Sequence, residues 1–225
     1  IVEPVDGKNV ISTIDVNIQQ IIRQAIENYN ARMADGPNEG GPAKNVGVIV
    51  MDPDTGEVLG MDSSNWYDLN DPRDLTAFYT QEEIDAMSEE EMLANLNDIW
   101  RNYCISDTYE PGSTYKPMTV AAALECDAIS QDDTYDCEGY YTVSGQIVRC
   151  AHLAGHGILS VAEALSYSCN ACLMQIGEKL GVSDFLRYQE MFNFGSKTGI
   201  DLPGEASGII FTEDSMKDLE LATSS

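Results

Sequence analysis

Pro111-Gly112-Ser113-Thr114-Tyr115-Lys116 sets a serine three residues before a lysine, behind a turn-forming Pro-Gly and ahead of an apolar run from Met118 to Leu124. Residues i and i+3 share a helix face, so the Ser113 hydroxyl and the Lys116 amine are expected to meet. Serine attacks well only when a base removes its proton. Lysine becomes that base when burial disfavours its charged form. Val120, Ala121, Ala122, Ala123 and Leu124 make the following helix apolar almost all round, the mark of a core helix. A bland reading makes Ser113 an N-cap and Lys116 a snorkelling surface residue. Against it, Lys116 is the one lysine of six with a serine three positions before it.

Working outward, the chain of 225 residues can bury a sizeable core. It carries 38 acidic and 12 basic residues, a net charge of −26. That balance repels phosphate backbones, and with no basic stripe nucleic-acid binding is excluded as an expectation. Much of the acid lies between Glu82 and Glu91, which reads as solvated helix surface. No apolar run reaches the ~18 residues of a membrane span. The start, Ile1-Val2-Glu3-Pro4, lacks the basic and apolar stretches of a signal peptide. An excised fragment is expected.

Hydrophobic period gives a strand over 9–14, then a helix over 15–33 with Asp15 as N-cap. A Gly/Pro-rich loop follows at 37–41. Strands over 46–51 and 57–61 flank the turn Pro53-Asp54-Thr55-Gly56. One or two acidic helices cover 81–101. A hairpin joins 140–143 to 146–149 around Ser144-Gly145. Helices are expected over 160–167, 171–180 (with Gly181 as C-cap) and 183–192, and another begins near Thr212. This order suggests an α+β layer design, helices packed on an antiparallel sheet.

The stretch Tyr109-Glu110-Pro111-Gly112-Ser113-Thr114-Tyr115-Lys116-Pro117 resembles the active-site segment of class B penicillin-binding proteins, the D,D-transpeptidases of peptidoglycan. Ser12-Thr13-Ile14-Asp15 with Gln19 is similar to that family's domain entry, and Met51 to Leu59 to its first hairpin. Ser168-Cys169-Asn170 is similar to its second motif, and Thr198 to Glu205 to a stretch shortly after it. The resemblance implies the fold shared by penicillin-binding proteins and serine β-lactamases, with residues 1–225 as the N-terminal portion of one transpeptidase domain. It implies Ser113 as the acylated nucleophile, Lys116 as its base, Ser168 as proton relay and Asn170 as holder of the substrate amide. The Ser113 N–H would form half of an oxyanion hole. Two look-alikes are set aside. Ser63-Ser64-Asn65 precedes the nucleophile. Lys197-Thr198-Gly199 spells the family's third motif but runs into Pro203, which suits a turn better than a central strand. The chain is thus expected to stop before the genuine third motif.

Cys137, Cys150, His152 and His156 lie within twenty residues around the hairpin. Continuing the hairpin register places Cys137 opposite His152, with Cys150 diagonal to it. Cys137, Cys150 and His156 then suit tetrahedral zinc, with His152, Asp136 or Cys169 as the fourth ligand. A Cys137–Cys150 disulfide and free thiols are equal alternatives. Any zinc would be structural, since the serine mechanism requires no cofactor. Cys169 and Cys172 read as helix-packing residues, Cys104 and Cys126 as buried.

The leading expectation is a peptidoglycan D,D-transpeptidase, a serine acyltransferase that β-lactams acylate. Its partners would be wall stem peptides, β-lactams and glycosyltransferase, divisome or elongasome proteins. It would act on the outer face of the cytoplasmic membrane, anchored by an N-terminal segment. Rival expectations are a serine β-lactamase or β-lactam sensor, and a non-catalytic module that binds wall peptide or a protein partner.

Overall fold

The computed structural model describes residues 7, 9–34 and 43–224, so the loop expected over 37–41 lies outside the described residues. The chain divides into two compact units: Ile1–Asp107 with Leu202–Glu205, and Thr108–Asp201 with Ala206–Ser225.

In the first unit, helix α1 (Val16–Ala34) packs on the antiparallel hairpin of β1 (Gly47–Met51) and β2 (Val58–Ser63). Asp15 caps α1 as expected, its Oδ1 accepting from the Asn17 and Ile18 N–H groups at 2.7 and 3.1 Å. Ile22 and Ile26 form the buried stripe of α1. Gly60 in β2 admits it, for a Cβ there would stand 2.7 Å from Ile22 Cδ1. The Gln19 amide donates to Met61 O and accepts from Met61 N, extending the β2 backbone pattern into the helix. The strand expected over 9–14 does not form. Val10 and Ile11 are 92% and 97% exposed, and among the described hydrogen bonds those from this stretch to β2 are donated by the Thr13 hydroxyl and the Asp15 N–H. Alternating β-branched residues stabilise a strand only where a partner edge and a buried face await them.

The acidic stretch splits into α2 (Gln81–Ala86) and α3 (Glu89–Trp100). Each begins with a capping box, Thr80 with Glu83 and Ser88 with Glu91, which accounts for the break. Leu75, Leu96 and Ile99 make a small core beneath them. The short helix α4 (Tyr103–Ser106) follows. Ser63 and Ser64 serve local structure. The Ser64 hydroxyl accepts from Val46 N and Asn30 Nδ2, and the Ser63 hydroxyl donates to Asn65 O.

The second unit holds a 3₁₀ turn (Gly112–Thr114) that runs into α5 (Lys116–Glu125). Strands β3 (Thr134–Cys137), β4 (Tyr140–Val143), β5 (Gln146–Arg149) and β6 (Gly157–Ser160) follow, then α6 (Val161–Ser166), α7 (Asn170–Met191) and α8 (Asp218–Ser224). Helix α7 packs against α5 and α8. Fully buried Ala123, Ala164 and Ala171 keep the backbones close, and Leu173, Ile176 and Phe185 fill the core. The Tyr115 ring lies 5.4 Å from Phe185 and 5.2 Å from Phe194. Gly181, at φ 77°, interrupts α7 where the sequence placed a C-cap. The last helix starts at Asp218; Thr212 opens only a turn, accepting from the Ser215 and Met216 N–H groups.

The β4–β5 hairpin has the expected register, Tyr140 opposite Arg149 and Val143 opposite Gln146. Outward it reaches only the next pair, the Cys150 N–H donating to Gly139 O at 2.9 Å. β3 pairs instead with β6, and Cys137 stands opposite Gly157 rather than His152. Among the described residues the strands form three separate antiparallel pairs. Cys104 and Cys126 are half-buried rather than buried.

Candidate active site

The 3₁₀ turn ends where α5 begins, so Ser113 and Lys116 straddle the junction. A 3₁₀ helix has three residues per turn, which keeps residues i and i+3 on one side. Pro117 at the first turn of α5 lacks only an N–H that would find no partner there. Lys116 is 4% exposed, whereas Ser113 is exposed. Burial lowers the Lys116 pKa from its ordinary value, while the Cys150 and Cys169 thiols nearby act the other way.

Lys116 Nζ donates to Ser168 O at 2.9 Å, Ser168 Oγ at 3.0 Å and Asn170 Oδ1 at 2.6 Å. Three acceptors saturate an ammonium. The structure therefore joins Lys116, Ser168 and Asn170, while among the described hydrogen bonds none links Ser113 Oγ to Lys116. Ser113 itself is exposed at the head of the turn.

The loop that presents Ser168 is a helix ending. Ser168 N–H donates to Leu165 O at 3.0 Å and Cys169 N–H to Ala164 O at 2.9 Å, the paired bonds of a Schellman motif closing α6. Ser168 takes the left-handed position that glycine usually fills, with φ 50°. The Ser160–Glu163 capping box fixes the other end of α6.

Beside this loop, the ligating atoms of Cys137, Cys150, His156 and Cys169 all lie within 4.8 Å of one another. Cys150 Sγ is 3.8 Å from Cys169 Sγ, and His156 Nδ1 is 3.5 Å from Cys137 Sγ and 3.9 Å from Cys150 Sγ. Donors about 2.3 Å from a zinc ion sit about 3.8 Å apart along a tetrahedron's edges, so these four atoms could hold zinc. All six cysteines are unbridged in the structure. Burial pushes the Cys150 thiol up, but N–H groups of His152, Ala171 and Asn170 outweigh it and bring the pKa down to about 7. Burial raises those of Cys169 and Cys172.

The fourth member of the cluster is Cys169, whose place in the sequence suits both a ligand and a helix-packing residue. Asp136 is exposed on β3, where alternation turns it away from buried Cys137. His152 also falls outside the cluster, its ring 4.8 Å from the His156 ring. Two glycines bring the 152–156 loop in: a Cβ on Gly139 would stand 2.2 Å from Leu153 O, and one on Gly155 2.4 Å from Cys137 O. Lys197-Thr198-Gly199 lies in a loop rather than on a strand.

The family described as "Penicillin binding protein transpeptidase domain" matches residues 46–225, and the chain belongs to it. The stage V sporulation protein D of Bacillus subtilis is 34% identical over 223 residues, covering 98% of this chain and 30% of that protein. The peptidoglycan D,D-transpeptidase MrdA of Escherichia coli is 28% identical over 218 residues, covering 95% of this chain and 30% of that protein. The chain spans under a third of the length of these relatives. Among solved structures, Pseudomonas aeruginosa PBP2 superposes with a TM-score of 0.72 at 23% identity, over 98% of this chain and 45% of the other. The transpeptidase domain of Burkholderia pseudomallei penicillin-binding protein 3 gives 0.69 at 20% identity, over 94% and 51%. The fold is that of penicillin-binding-protein transpeptidase domains, mixed helix and antiparallel sheet.

Proposed function

We propose that this chain carries the acylation machinery of a peptidoglycan D,D-transpeptidase acting outside the cytoplasmic membrane, with Ser113 as nucleophile. The observation that carries the reading is the buried Lys116 amine, held by Ser168 and Asn170 one turn after Ser113. Burial lowers the lysine pKa and so eases loss of the ammonium proton, after which the amine has a lone pair to accept one from Ser113.

Ser113 Oγ attacks the stem-peptide carbonyl carbon as its proton passes to Lys116 Nζ. The Oγ–C bond forms and the carbonyl becomes an oxyanion facing the Ser113 N–H. The C–N bond then breaks, and the leaving amine takes a proton through Ser168 Oγ, which Lys116 Nζ resupplies. The Asn170 side chain orients the peptide amide. Attack by the amine of a second stem peptide on the acyl-Ser113 ester releases the cross-linked product and restores the hydroxyl. A β-lactam enters by the same first step, and its ring-opened acyl group stays on Ser113.

A zinc ion held by Cys137, Cys150, His156 and Cys169 fits this scheme as a structural staple. It would bind three thiolates and an imidazole, tying the β3–β6 region to the Ser168–Asn170 loop. No step above passes through it.

The test is a fluorescent penicillin followed by peptide mapping. A stable adduct on Ser113, abolished by Ser113→Ala and nearly abolished by Lys116→Ala, supports the transpeptidase. Rapid turnover of the adduct would instead indicate a β-lactamase, and an adduct at another residue would refute the assignment.

A further inference from the structure

The four residues from Tyr167 to Asn170 alternate in direction. Ser168 and Asn170 reach Lys116 Nζ. Cys169 joins the Cys137–Cys150–His156 cluster. Tyr167 completes the alternation, for its ring lies 5.6 Å from the His156 ring and within 2° of parallel. Aromatic rings that share a face at this spacing attract and align one another.

Burial does not explain Tyr167, which is 59% exposed. Its place in the chain does. It immediately precedes Ser168, whose left-handed backbone is unfavourable for a residue with a Cβ and persists only when its surroundings over-determine it. The α6 carbonyls hold the Ser168 and Cys169 N–H groups, and Lys116 holds the Ser168 side chain. A flexible residue 167 would leave the peptide plane before Ser168 free to rock.

We propose that Tyr167 is a positioning residue for acyl transfer, its ring seated flat on His156 to fix the loop so that Ser168 stays on Lys116. This rests on the acylation chemistry proposed above. Cys169 and Tyr167 then clamp Ser168 from both sides onto one cluster, and the hydroxyl of Tyr167 has no part in it.

Acylation of the protein by fluorescent penicillin, measured as a function of drug concentration, separates binding from chemistry. Tyr167→Ala is expected to slow the acylation step by about tenfold with little change in the apparent dissociation constant. Tyr167→Phe, which keeps the ring, is expected to restore most of the rate. An alanine variant that acylates at the parent rate, or a phenylalanine variant as slow as alanine, overturns the proposal. Hydrogen exchange at the Ser168 and Cys169 amides gives a second readout that needs no acylation. Faster exchange in Tyr167→Ala and not in Tyr167→Phe supports the clamp, and equal exchange in all three refutes it. If the parent itself takes up no label, the acylation reading fails, and the exchange data still decide the clamp.

Discussion

Lys116 Nζ lies 2.6 Å from Asn170 Oδ1, the shortest of its three hydrogen bonds. A neutral amide at that spot accepts the bond without adding charge. Asn170→Asp keeps the shape and adds an anion against the amine. An opposite charge this near favours the ammonium and moves such a pKa by about 1–3 units. The expected result is slow β-lactam acylation at neutral pH that recovers as pH rises. A profile that coincides with the parent's would count against Lys116 as the base.

In the parent, acylation should rise with pH through the Lys116 pKa, with a midpoint below 10.5 because burial lowers it. The stability consequence follows the same direction. The ammonium is disfavoured in the folded state, so its cost is fully present below the folded pKa and fades as pH climbs toward 10.5. Denaturant midpoints should therefore increase across that window, and Lys116→Met should remove that part of the dependence. A midpoint for acylation at or above 10.5 would contradict the burial argument.

Ser168 supplies a test that runs against ordinary propensity. Both Ser168→Ala and Ser168→Gly delete the hydroxyl that Lys116 holds, and both should depress acylation. Elsewhere glycine is the less stable of the two, through its larger unfolded-state entropy. At φ 50° the order should reverse, with glycine more stable than alanine by about 1 kcal/mol, because alanine keeps the Cβ strain. Thermal or urea unfolding of the two variants reads this directly, and alanine proving the more stable would show that the left-handed backbone relaxes.

Local signals made much of this legible. The Asp15 cap, the Ser144-Gly145 hairpin and the Gly181 break each follow from one or two residues whose backbone preference is strong. The start of α5 was legible for a similar reason, since Pro111-Gly112 marks a turn and the run from Met118 to Leu124 a core helix, whereas the Lys116 contacts to Ser168 and Asn170 join segments more than fifty residues apart. What the sequence did not reveal depends on pairing between distant segments. β3 and β6 are four residues each and are separated by the entire β4–β5 hairpin, so no local period links Cys137 to Gly157. Extending the hairpin register across Gly139 pointed to His152, whereas the chain turns there at φ 89° and delivers His156. Cys169 read both as a fourth ligand and as packing, because it precedes a buried helix face. Only the Schellman closure of α6 reveals that it turns toward Cys150.

The Cys137–Cys150–His156–Cys169 cluster gives the remaining prediction. Cobalt(II) added to metal-free protein should bind as one ion per chain and show the strong sulfur-to-metal charge transfer and intense visible bands of a tetrahedral thiolate site. Cys169→Ala or Cys137→Ala should weaken binding severely, because each removes a ligand from a closed set of four. Asp136→Ala and His152→Ala should leave stoichiometry and spectrum unchanged, since neither belongs to that set. Metal removal should also lower the unfolding midpoint, because binding to the folded state alone adds directly to stability. Colourless cobalt titration with freely reacting thiols would exclude a metal centre, and mass loss of two hydrogens between Cys150 and Cys169 would show the pair closing as a disulfide instead.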